Sequence, residues 1–79
     1  MALVVYTKPG CHLCDEGREV VAIALAQLGA NVAVESVDIT RDAELMERYG
    51  LLIPVVANTD TGAELNWPFG PADVQRLIK

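Results

Sequence analysis

The chain has 79 residues, and its composition, 52% hydrophobic and 22% charged, is that of a globular protein rather than a disordered one. Its formal net charge is −5 and its six basic residues are scattered, which argues against a nucleic-acid-binding surface. No apolar run reaches the ~20 residues that cross a bilayer, and no secretion signal is recognisable. We therefore expect one domain over residues 1–79, a cytoplasmic monomer with neither nucleic acid nor membrane as a partner.

The first half of the chain predicts two strands joined by a helix. Residues 3–6 are apolar and β-prone, and Pro9–Gly10 ends this first strand. A helix is expected over residues 13–28, because apolar side chains recur there at helical spacing, and Gly29 ends it. β-Branched residues favour a second strand over residues 32–39, parallel to the first. The apolar helix positions are Leu13, Val20, Val21, Ala24, Leu25 and Leu28.

The second half begins with a helix that is followed by two strands. Thr40 can act as the N-cap of this helix, and Gly50 ends it. A third strand is expected over residues 51–57, where Pro54 interrupts the pattern. Turn-forming residues then lead into a fourth strand over residues 63–66, as in an antiparallel hairpin. The apolar face of the helix is expected to consist of Leu45, Met46 and Tyr49.

A short helix follows the fourth strand. Pro71 suits its first position, Gly70 its N-cap, and Phe69 and Val74 are spaced as a hydrophobic staple. Trp67 is expected to close the end of a small core rather than to line a substrate groove. The element order βαβαββα predicts an α/β fold, a mixed four-stranded sheet flanked by three helices.

The residues with the clearest chemistry are two cysteines between the first strand and the first helix, Cys11 and Cys14. A helix N-terminus carries partial positive charge and unpaired N–H groups, so a thiolate there is stabilised and its pKa falls. Cys11 precedes the helix, and we predict that it is the nucleophile. Cys14 lies one turn later and is more covered, and we predict that it is the resolving thiol. Lys8 favours the thiolate electrostatically, whereas Asp15 and Glu16 oppose it.

A structural disulfide and a metal site are the alternative interpretations of the cysteine pair. A structural disulfide is uncommon in a reducing compartment. Zinc requires four ligands, whereas His12 lies between the cysteines and is poorly placed to complete a site with them. We therefore predict no metal ion and no resident cofactor. A Cys-x-x-Cys motif beside a βαβ pattern indicates redox chemistry.

The segment YTKPGCHLC over residues 6–14 resembles the active-site segment of the glutaredoxin-like branch of the thioredoxin superfamily, in particular small proteins with a Cys-x-Leu-Cys motif. The similarity covers nearly the whole chain. Val37–Asp38–Ile39 resembles the end of the family's second strand, and Arg48–Tyr49–Gly50 followed by Ile53–Pro54–Val55 resembles its approach to a cis-proline. The resemblance implies a thioredoxin-like (glutaredoxin-type) fold and an oxidoreductase that reduces protein or small-molecule disulfides.

The resemblance also assigns a role to Pro54. It implies that the Ile53–Pro54 bond is cis and lies beside the dithiol. The backbone of Ile53 would then pair with an extended stretch of the substrate, as in strand addition. Without the cysteine motif, the residues alone would favour an ordinary edge-strand proline.

Glutathione is a candidate co-substrate on the same resemblance. Lys8 matches a basic residue that pairs with a glutathione carboxylate, and Gly70 and Asp73 match part of the family's glutathione-binding segment. His12 is placed with them among the residues that would face a substrate. The match is partial, because Pro71 removes a backbone donor. A thioredoxin reductase is the alternative electron source.

Two other functions fit the same residues. A dimer of such chains could hold an iron–sulfur cluster through Cys11 of each chain and glutathione, which visible absorbance after anaerobic reconstitution would reveal. A redox-inert interaction scaffold would instead leave the pKa of Cys11 close to the free value of about 8.5.

Overall fold

The computed structural model describes residues 2–78, and its elements follow the order expected from the sequence. They are β1 (Ala2–Thr7), α1 (His12–Leu28), β2 (Ala33–Asp38), a 3-10 turn (Ile39–Arg41), α2 (Ala43–Tyr49), β3 (Val55–Asn58), β4 (Glu64–Asn66) and α3 (Pro71–Ile78). The α/β class and the mixed four-stranded sheet flanked by three helices are confirmed. In this described part of the chain, no helix is long and apolar enough to cross a membrane.

β1 is a central strand of the sheet, whose spatial order is β2-β1-β3-β4. It runs parallel to β2 and antiparallel to β3, and β3 runs antiparallel to β4. In this register Val5 lies opposite Ser36 on one side and Val56 on the other. Because β1 is held on both sides, the loop that follows its carboxyl end starts from a fixed position.

Each face of the sheet covers a separate apolar cluster. Alternate residues of β1 point to opposite faces, so Leu3 and Val5 are fully buried together on one of them. On the opposite face Ile39, Tyr49 and Val55 form a smaller cluster beside α2. The first cluster, which includes side chains from α1 and α3, contains Leu3, Val5, Val21, Ala24, Val56, Phe69, Val74 and Leu77.

The start of α3 has the expected arrangement. The carbonyl of Gly70 accepts a hydrogen bond of 3.2 Å from the Val74 N–H, so Gly70 is the N-cap. Phe69 and Val74, the predicted staple, lie in the same buried cluster. Trp67 is partly buried against that cluster, and its ring meets Phe69 edge-on with centroids 5.1 Å apart.

The buried stripe of α1 is narrower than its apolar positions suggested. Its fully buried residues are spaced three or four apart: Cys14, Gly17, Val21 and Ala24. Leu13 and Leu28, expected on the apolar face, are 46% and 41% exposed. The sheet covers only one stripe of the helix, and Leu13 is turned about 100° away from Cys14 around the axis.

The second helix begins later than predicted. Thr40 lies in the 3-10 turn. There the hydroxyl and the N–H of Thr40 donate hydrogen bonds of 2.6 and 2.9 Å to the Asp38 carboxylate. These two hydrogen bonds lower the pKa of the Asp38 carboxyl. The N-cap of α2 is Asp42, whose carboxylate accepts from the N–H groups of Glu44 and Leu45. The assignment of Thr40 as the cap is therefore wrong, because Asp38 holds Thr40 in the preceding turn.

Replacing Asp42 with alanine should lower the free energy of unfolding by about 1 kcal/mol, because the first turn of α2 loses the acceptor for two N–H groups. Urea denaturation of the variant and the parent protein measures the difference. Thr40→Ala is the comparison, since it removes only a hydroxyl outside the helix and should cost less. A larger loss from Thr40→Ala would contradict the assignment of the cap.

The third strand is also shorter than predicted. It begins at Val55 rather than at residue 51, because the N–H groups of Leu52 and Ile53 both donate to the Tyr49 carbonyl and form a turn after α2. Met46 is 41% exposed instead of buried. Leu45 and Tyr49, four residues apart, take the inward positions of this short helix.

Candidate active site

The two cysteines lie where β1 leads into α1. Residues 8–10 connect these elements, with Lys8 exposed and Gly10 at a φ of 74°, which glycine adopts without steric cost. Cys11 follows as the N-cap of α1, with an extended backbone (φ −88°, ψ 105°). The helix therefore begins directly after the first cysteine, as the sequence predicts.

Cys11 and Cys14 form a disulfide, with their Cα atoms 5.2 Å apart. The backbone N–H of Cys14 donates a hydrogen bond of 3.2 Å to Sγ of Cys11. Cys14 is buried at 1% exposure, whereas Cys11 is only half-buried. An N-cap sulfur that accepts a helix N–H is in the position where a thiolate is stabilised. The more accessible sulfur is thus the one with the better environment for negative charge.

Side chains at the start of α1 are paired along the helix. Arg18 donates a hydrogen bond to Asp15 within an ion pair, and His12 Nε2 lies 3.8 Å from Glu16 Oε2. The Asp15–Arg18 pair offsets part of the repulsion that Asp15 would exert on a nearby thiolate. The His12 side chain is 88% exposed, so it lies on the outer surface of the motif.

Pro54 packs directly against α1 at Gly17. A Cβ atom at position 17 would lie 2.6 Å from Cγ and 2.9 Å from Cβ of Pro54, and 3.4 Å from Cζ of Phe69. Gly17 follows Cys14 by three residues on the buried stripe of α1, so this contact brings Pro54 to the first turns of the helix that carries the dithiol. Gly17 was not among the site residues predicted from the sequence. The available signal was a glycine inside a helix, where it costs about 1 kcal/mol relative to alanine.

The backbone on either side of Pro54 is partly engaged within the chain. The Ile53–Pro54 bond is cis, as is the Trp67–Pro68 bond. The Ile53 N–H donates to the Tyr49 carbonyl, and the Trp67 N–H donates to the Pro54 carbonyl, both at 3.1 Å. A substrate strand that paired here would therefore use the carbonyl of Ile53 rather than both of its backbone groups.

Tyr49 holds the segment that leads to Pro54. Its side chain is 3% exposed, its hydroxyl donates to the Glu64 carboxylate, and its ring stacks on Tyr6 with centroids 4.3 Å apart. Burial, together with the hydrogen bond to Glu64, raises the pKa of the Tyr49 hydroxyl, so it stays neutral and remains a donor. Ile53 packs against the same cluster. The residue before Pro54 is thus fixed by both backbone and side-chain contacts.

Replacing Tyr49 with phenylalanine should lower the free energy of unfolding by about 1 kcal/mol, since it keeps the ring stack and removes the hydrogen bond to Glu64. Thermal or urea unfolding measures the loss. Tyr6→Phe is the matched control, because within residues 2–78 its hydroxyl makes no hydrogen bond that the structure records. Equal losses in the two variants would show that the Tyr49–Glu64 bond contributes nothing specific.

Gly70 and Asp73 bind each other. The Gly70 N–H donates a hydrogen bond of 2.8 Å to Oδ2 of Asp73, and the Asp73 N–H donates one of 3.1 Å to the Gly70 carbonyl. The other carboxylate oxygen, Oδ1, pairs with Arg76. Because Phe69 approaches Gly17, this helix start adjoins the contact between Pro54 and α1. A role for Gly70 and Asp73 in holding glutathione stays a prediction.

The dithiol does not line the groove that the structure shows between β4 and α3. This groove has a volume of about 560 Å³, and its lining includes Glu64, Leu65, Asp73 and Arg76 but neither cysteine. Over residues 2–78, no group of three or more His, Cys, Asp or Glu side chains is placed to hold a metal ion. The candidate site therefore consists of Cys11 and Cys14 at the start of α1, with Pro54 packed against the same helix at Gly17.

Comparison with known proteins finds a matching family and several similar proteins. The family model of the glutaredoxin-like domain (DUF836) matches residues 2–79 of this chain. The chain is 31% identical over 83 residues to the SPbeta prophage-derived thioredoxin-like protein YosR of Bacillus subtilis (strain 168), covering 100% of this chain and 96% of that protein. It is 39% identical over 54 residues to a probable thioredoxin of Methanothermobacter thermautotrophicus, covering 67% of this chain and 64% of that protein. The solved structure of protein XcR50 from X. campestris has a TM-score of 0.78 at 42% identity, covering 98% of this chain and 95% of that one.

Proposed function

The chain belongs to the glutaredoxin-like domain family, and on that premise we propose that it is a dithiol–disulfide oxidoreductase with Cys11 as the nucleophile and Cys14 as the resolving thiol. The observation that carries this proposal is the position of Cys11 as N-cap of α1, where its sulfur accepts the N–H of Cys14. Membership of this family and the geometry of the Cys-x-x-Cys pair both support a redox role for the two cysteines.

The reaction moves two electrons from the protein dithiol to a substrate disulfide. The Cys11 thiolate attacks one substrate sulfur, so that the substrate S–S bond breaks, a mixed disulfide with Cys11 forms, and the other substrate sulfur leaves as a thiolate. Cys14 gives up its proton and attacks Sγ of Cys11. The mixed disulfide then breaks, the Cys11–Cys14 disulfide forms, and the second substrate thiolate leaves. The released thiolates take protons from Cys14 and from solvent.

Each neighbouring element has a stated part in this reaction. The N-terminus of α1 stabilises the Cys11 thiolate, both as attacking group and as leaving group when the protein is reduced again. The Ile53 carbonyl is the acceptor for an extended substrate segment beside Pro54. Lys8 and His12 lie on the exposed side of the motif, where an approaching substrate passes.

The substrates we propose are disulfides of proteins or small molecules in the cytoplasm. The oxidised protein must then regain two electrons from a thiol reductant, either glutathione or a thioredoxin reductase. The chain acts as a monomer in this scheme, because both thiols and the Pro54 segment come from one chain.

Turnover is the direct test of the proposal. Purified protein is mixed with insulin as a protein disulfide, and electrons are supplied in separate reactions by dithiothreitol, by glutathione with glutathione reductase, or by thioredoxin reductase. We expect insulin reduction at a rate proportional to the protein concentration with at least one physiological source. A rate equal to that of the reductant alone in every reaction would contradict the proposal.

The two other hypotheses give different results in separate measurements. An iron–sulfur protein would gain visible absorbance after anaerobic reconstitution with glutathione. A redox-inert scaffold would show no disulfide exchange and a Cys11 pKa close to about 8.5.

A further inference from the structure

β4 forms one edge of the sheet, and its pairing with β3 shows which of its backbone groups are used. The two strands are antiparallel, with Leu65 opposite Val56. At the hairpin end of the pair, the Asn58 N–H donates a hydrogen bond of 2.9 Å to the Ala63 carbonyl. Hydrogen-bonded and non-hydrogen-bonded pairs alternate along an antiparallel ladder. Leu65, two residues after Ala63, therefore bonds to β3, and its two neighbours in β4 do not.

Those neighbours, Glu64 and Asn66, direct their backbone N–H and C=O groups to the open edge of the sheet. The hydrogen bond from the Trp67 N–H to the Pro54 carbonyl continues the same alternation. Over residues 2–78, the structure records no acceptor for the N–H of Glu64 or Asn66 outside the sheet. Two donors and two acceptors on alternate residues form the set that an added strand uses.

The groove of about 560 Å³ between β4 and α3 adjoins this open edge. Its apolar lining comes from Ala63, Leu65 and Leu77, and the lining also includes Asp73 and Arg76. A strand added to β4 would place every second side chain on the α3 side of the sheet. Apolar side chains suit this position, because the Asp73 and Arg76 side chains are already paired with each other.

The opposite face of β4 carries a negative charge. The Glu64 side chain lies on that face, where its carboxylate accepts a hydrogen bond from the Tyr49 hydroxyl. A carboxylate can accept further hydrogen bonds, and over residues 2–78 none of the recorded ion pairs includes Glu64. Basic side chains of an added strand would therefore be favoured on this face.

Two alternative arrangements are less favourable. β2, the strand at the other edge, is exposed on both faces over residues 33–36, so an added strand would find no wall there for its alternate side chains. A second copy of this chain that paired through β4 would bring two Glu64 carboxylates onto one face of a short ladder. Each copy also has a formal net charge of −5, so the two copies repel each other.

We propose that β4 and the adjoining groove are a docking surface for an extended segment of a partner protein, in which apolar side chains that enter the groove alternate with basic side chains that face Glu64. The segment adds a strand to the sheet through the backbone groups of Glu64 and Asn66, and its alternate side chains give the specificity. The groove lining contains neither cysteine, so this binding involves no electron transfer and does not depend on the proposed function.

The test uses a synthetic peptide without cysteine, acetyl-Thr-Lys-Val-Lys-Val-Lys-Thr-amide, titrated into the parent protein. Two-dimensional amide NMR spectra give both the affinity and the position of the bound peptide. We expect the backbone amides of Glu64 and Asn66 to shift in a saturable way, while the amide of Glu35 in β2 keeps its position. Absence of binding up to about 1 mM peptide, or shifts confined to β2, would overturn the proposal.

Backbone methylation of the peptide tests for an added strand. One derivative carries N-methyl groups on both valines, and the other carries them on the three lysines. Alternate N–H groups of a bound strand face β4, so one derivative should bind about tenfold more weakly than the unmethylated peptide, and the other should keep its affinity. Equal affinities of the two derivatives would show that no strand is added.

Variants of the protein locate the same contacts from the other side. Asn66→Pro removes an outward N–H and no hydrogen bond to β3, whereas the matched control Asn66→Ala keeps that N–H. Affinity should fall about tenfold in Asn66→Pro and stay near the parent value in Asn66→Ala. Glu64→Gln should weaken the lysine peptide about threefold and leave unchanged a peptide with threonine in place of lysine.

The remaining outcomes are also decisive. Equal losses in Asn66→Pro and Asn66→Ala would contradict the use of the open edge, and if Asn66→Pro failed to fold, the two methylated peptides would still decide with the parent protein. Concentration-dependent dimerisation of the parent that Asn66→Pro abolishes would make a second copy the occupant and overturn the proposal. Each of these contrary results would leave the proposed dithiol chemistry intact, because the peptide contains no sulfur.

Discussion

Replacing Cys11 with serine is expected to reduce disulfide-reducing activity to the level of the reductant alone, because a hydroxyl cannot supply the attacking thiolate. Cys14→Ser should behave differently: it retains the first attack and loses the resolving step, so a mixed disulfide on Cys11 accumulates. Intact-protein mass spectrometry after incubation with excess bis(2-hydroxyethyl) disulfide measures both results. We expect one stable adduct on Cys14→Ser and little or none on Cys11→Ser, whose remaining sulfur is buried.

The same experiment can reverse the assignment of roles. Rapid adduct formation on Cys14 in the Cys11→Ser variant, with a slow reaction at Cys11 in Cys14→Ser, would make Cys14 the nucleophile. Circular dichroism of both variants is the control for folding. Neither substitution should alter the secondary structure, since serine keeps the size of the side chain and remains a good N-cap at position 11.

Gly17→Ala is expected to lower the free energy of unfolding by about 1–2 kcal/mol, although alanine is normally the better helix residue by about 1 kcal/mol. The reversal follows from the contact with Pro54, whose rigid ring lies 2.6 Å from the position of the added methyl group. Either α1 or the Pro54 segment must move. Because this contact brings Pro54 to the first turns of α1, which carries the dithiol, insulin reduction should slow as well. Urea denaturation and the turnover assay measure the two effects.

A double-mutant cycle separates this clash from any general intolerance of alanine at position 17. Pro54→Gly removes the ring atoms that the new methyl group would meet, so Gly17→Ala should cost less in that background than in the parent. The exposed Ala22 is the control position for helix propensity in α1. There Ala22→Gly should destabilise α1 by about 1 kcal/mol. A stabilising effect of Gly17→Ala in the parent protein would contradict the proposed close contact.

The order of elements and the dithiol could be predicted because they depend on local patterns. Gly29 and Pro71 predict a helix end and a helix start because of their backbone conformations. In the structure α1 ends at Gly29 and α3 begins at Pro71, so both predictions are confirmed. The position of Cys11 at the start of α1 follows from the same local signals. The apolar, β-prone residues of β1 predict the strand, but they do not show which of its two faces is fully buried.

The features that the sequence did not provide depend on contacts between distant segments. Nothing near Gly17 in the chain indicates that Pro54 will pack against it. The backbone of Ile53 was expected to pair with a substrate, but the turn after α2 already gives its N–H an acceptor, the Tyr49 carbonyl. Asp42 rather than Thr40 is the N-cap of α2, because the Thr40 hydroxyl donates a hydrogen bond to Asp38 instead. A pattern of single residues does not reveal this competing hydrogen bond.

The pKa of the Cys11 thiol tests the proposed role of α1 most directly. It is measured in the Cys14→Ser variant, which keeps the backbone N–H at position 14, by following the ultraviolet absorbance of the thiolate as the pH is raised. A midpoint about one unit or more below the free value of about 8.5 is the predicted result. A midpoint at or above about 8.5 would contradict it, because the start of α1 would then give Cys11 no advantage as a nucleophile.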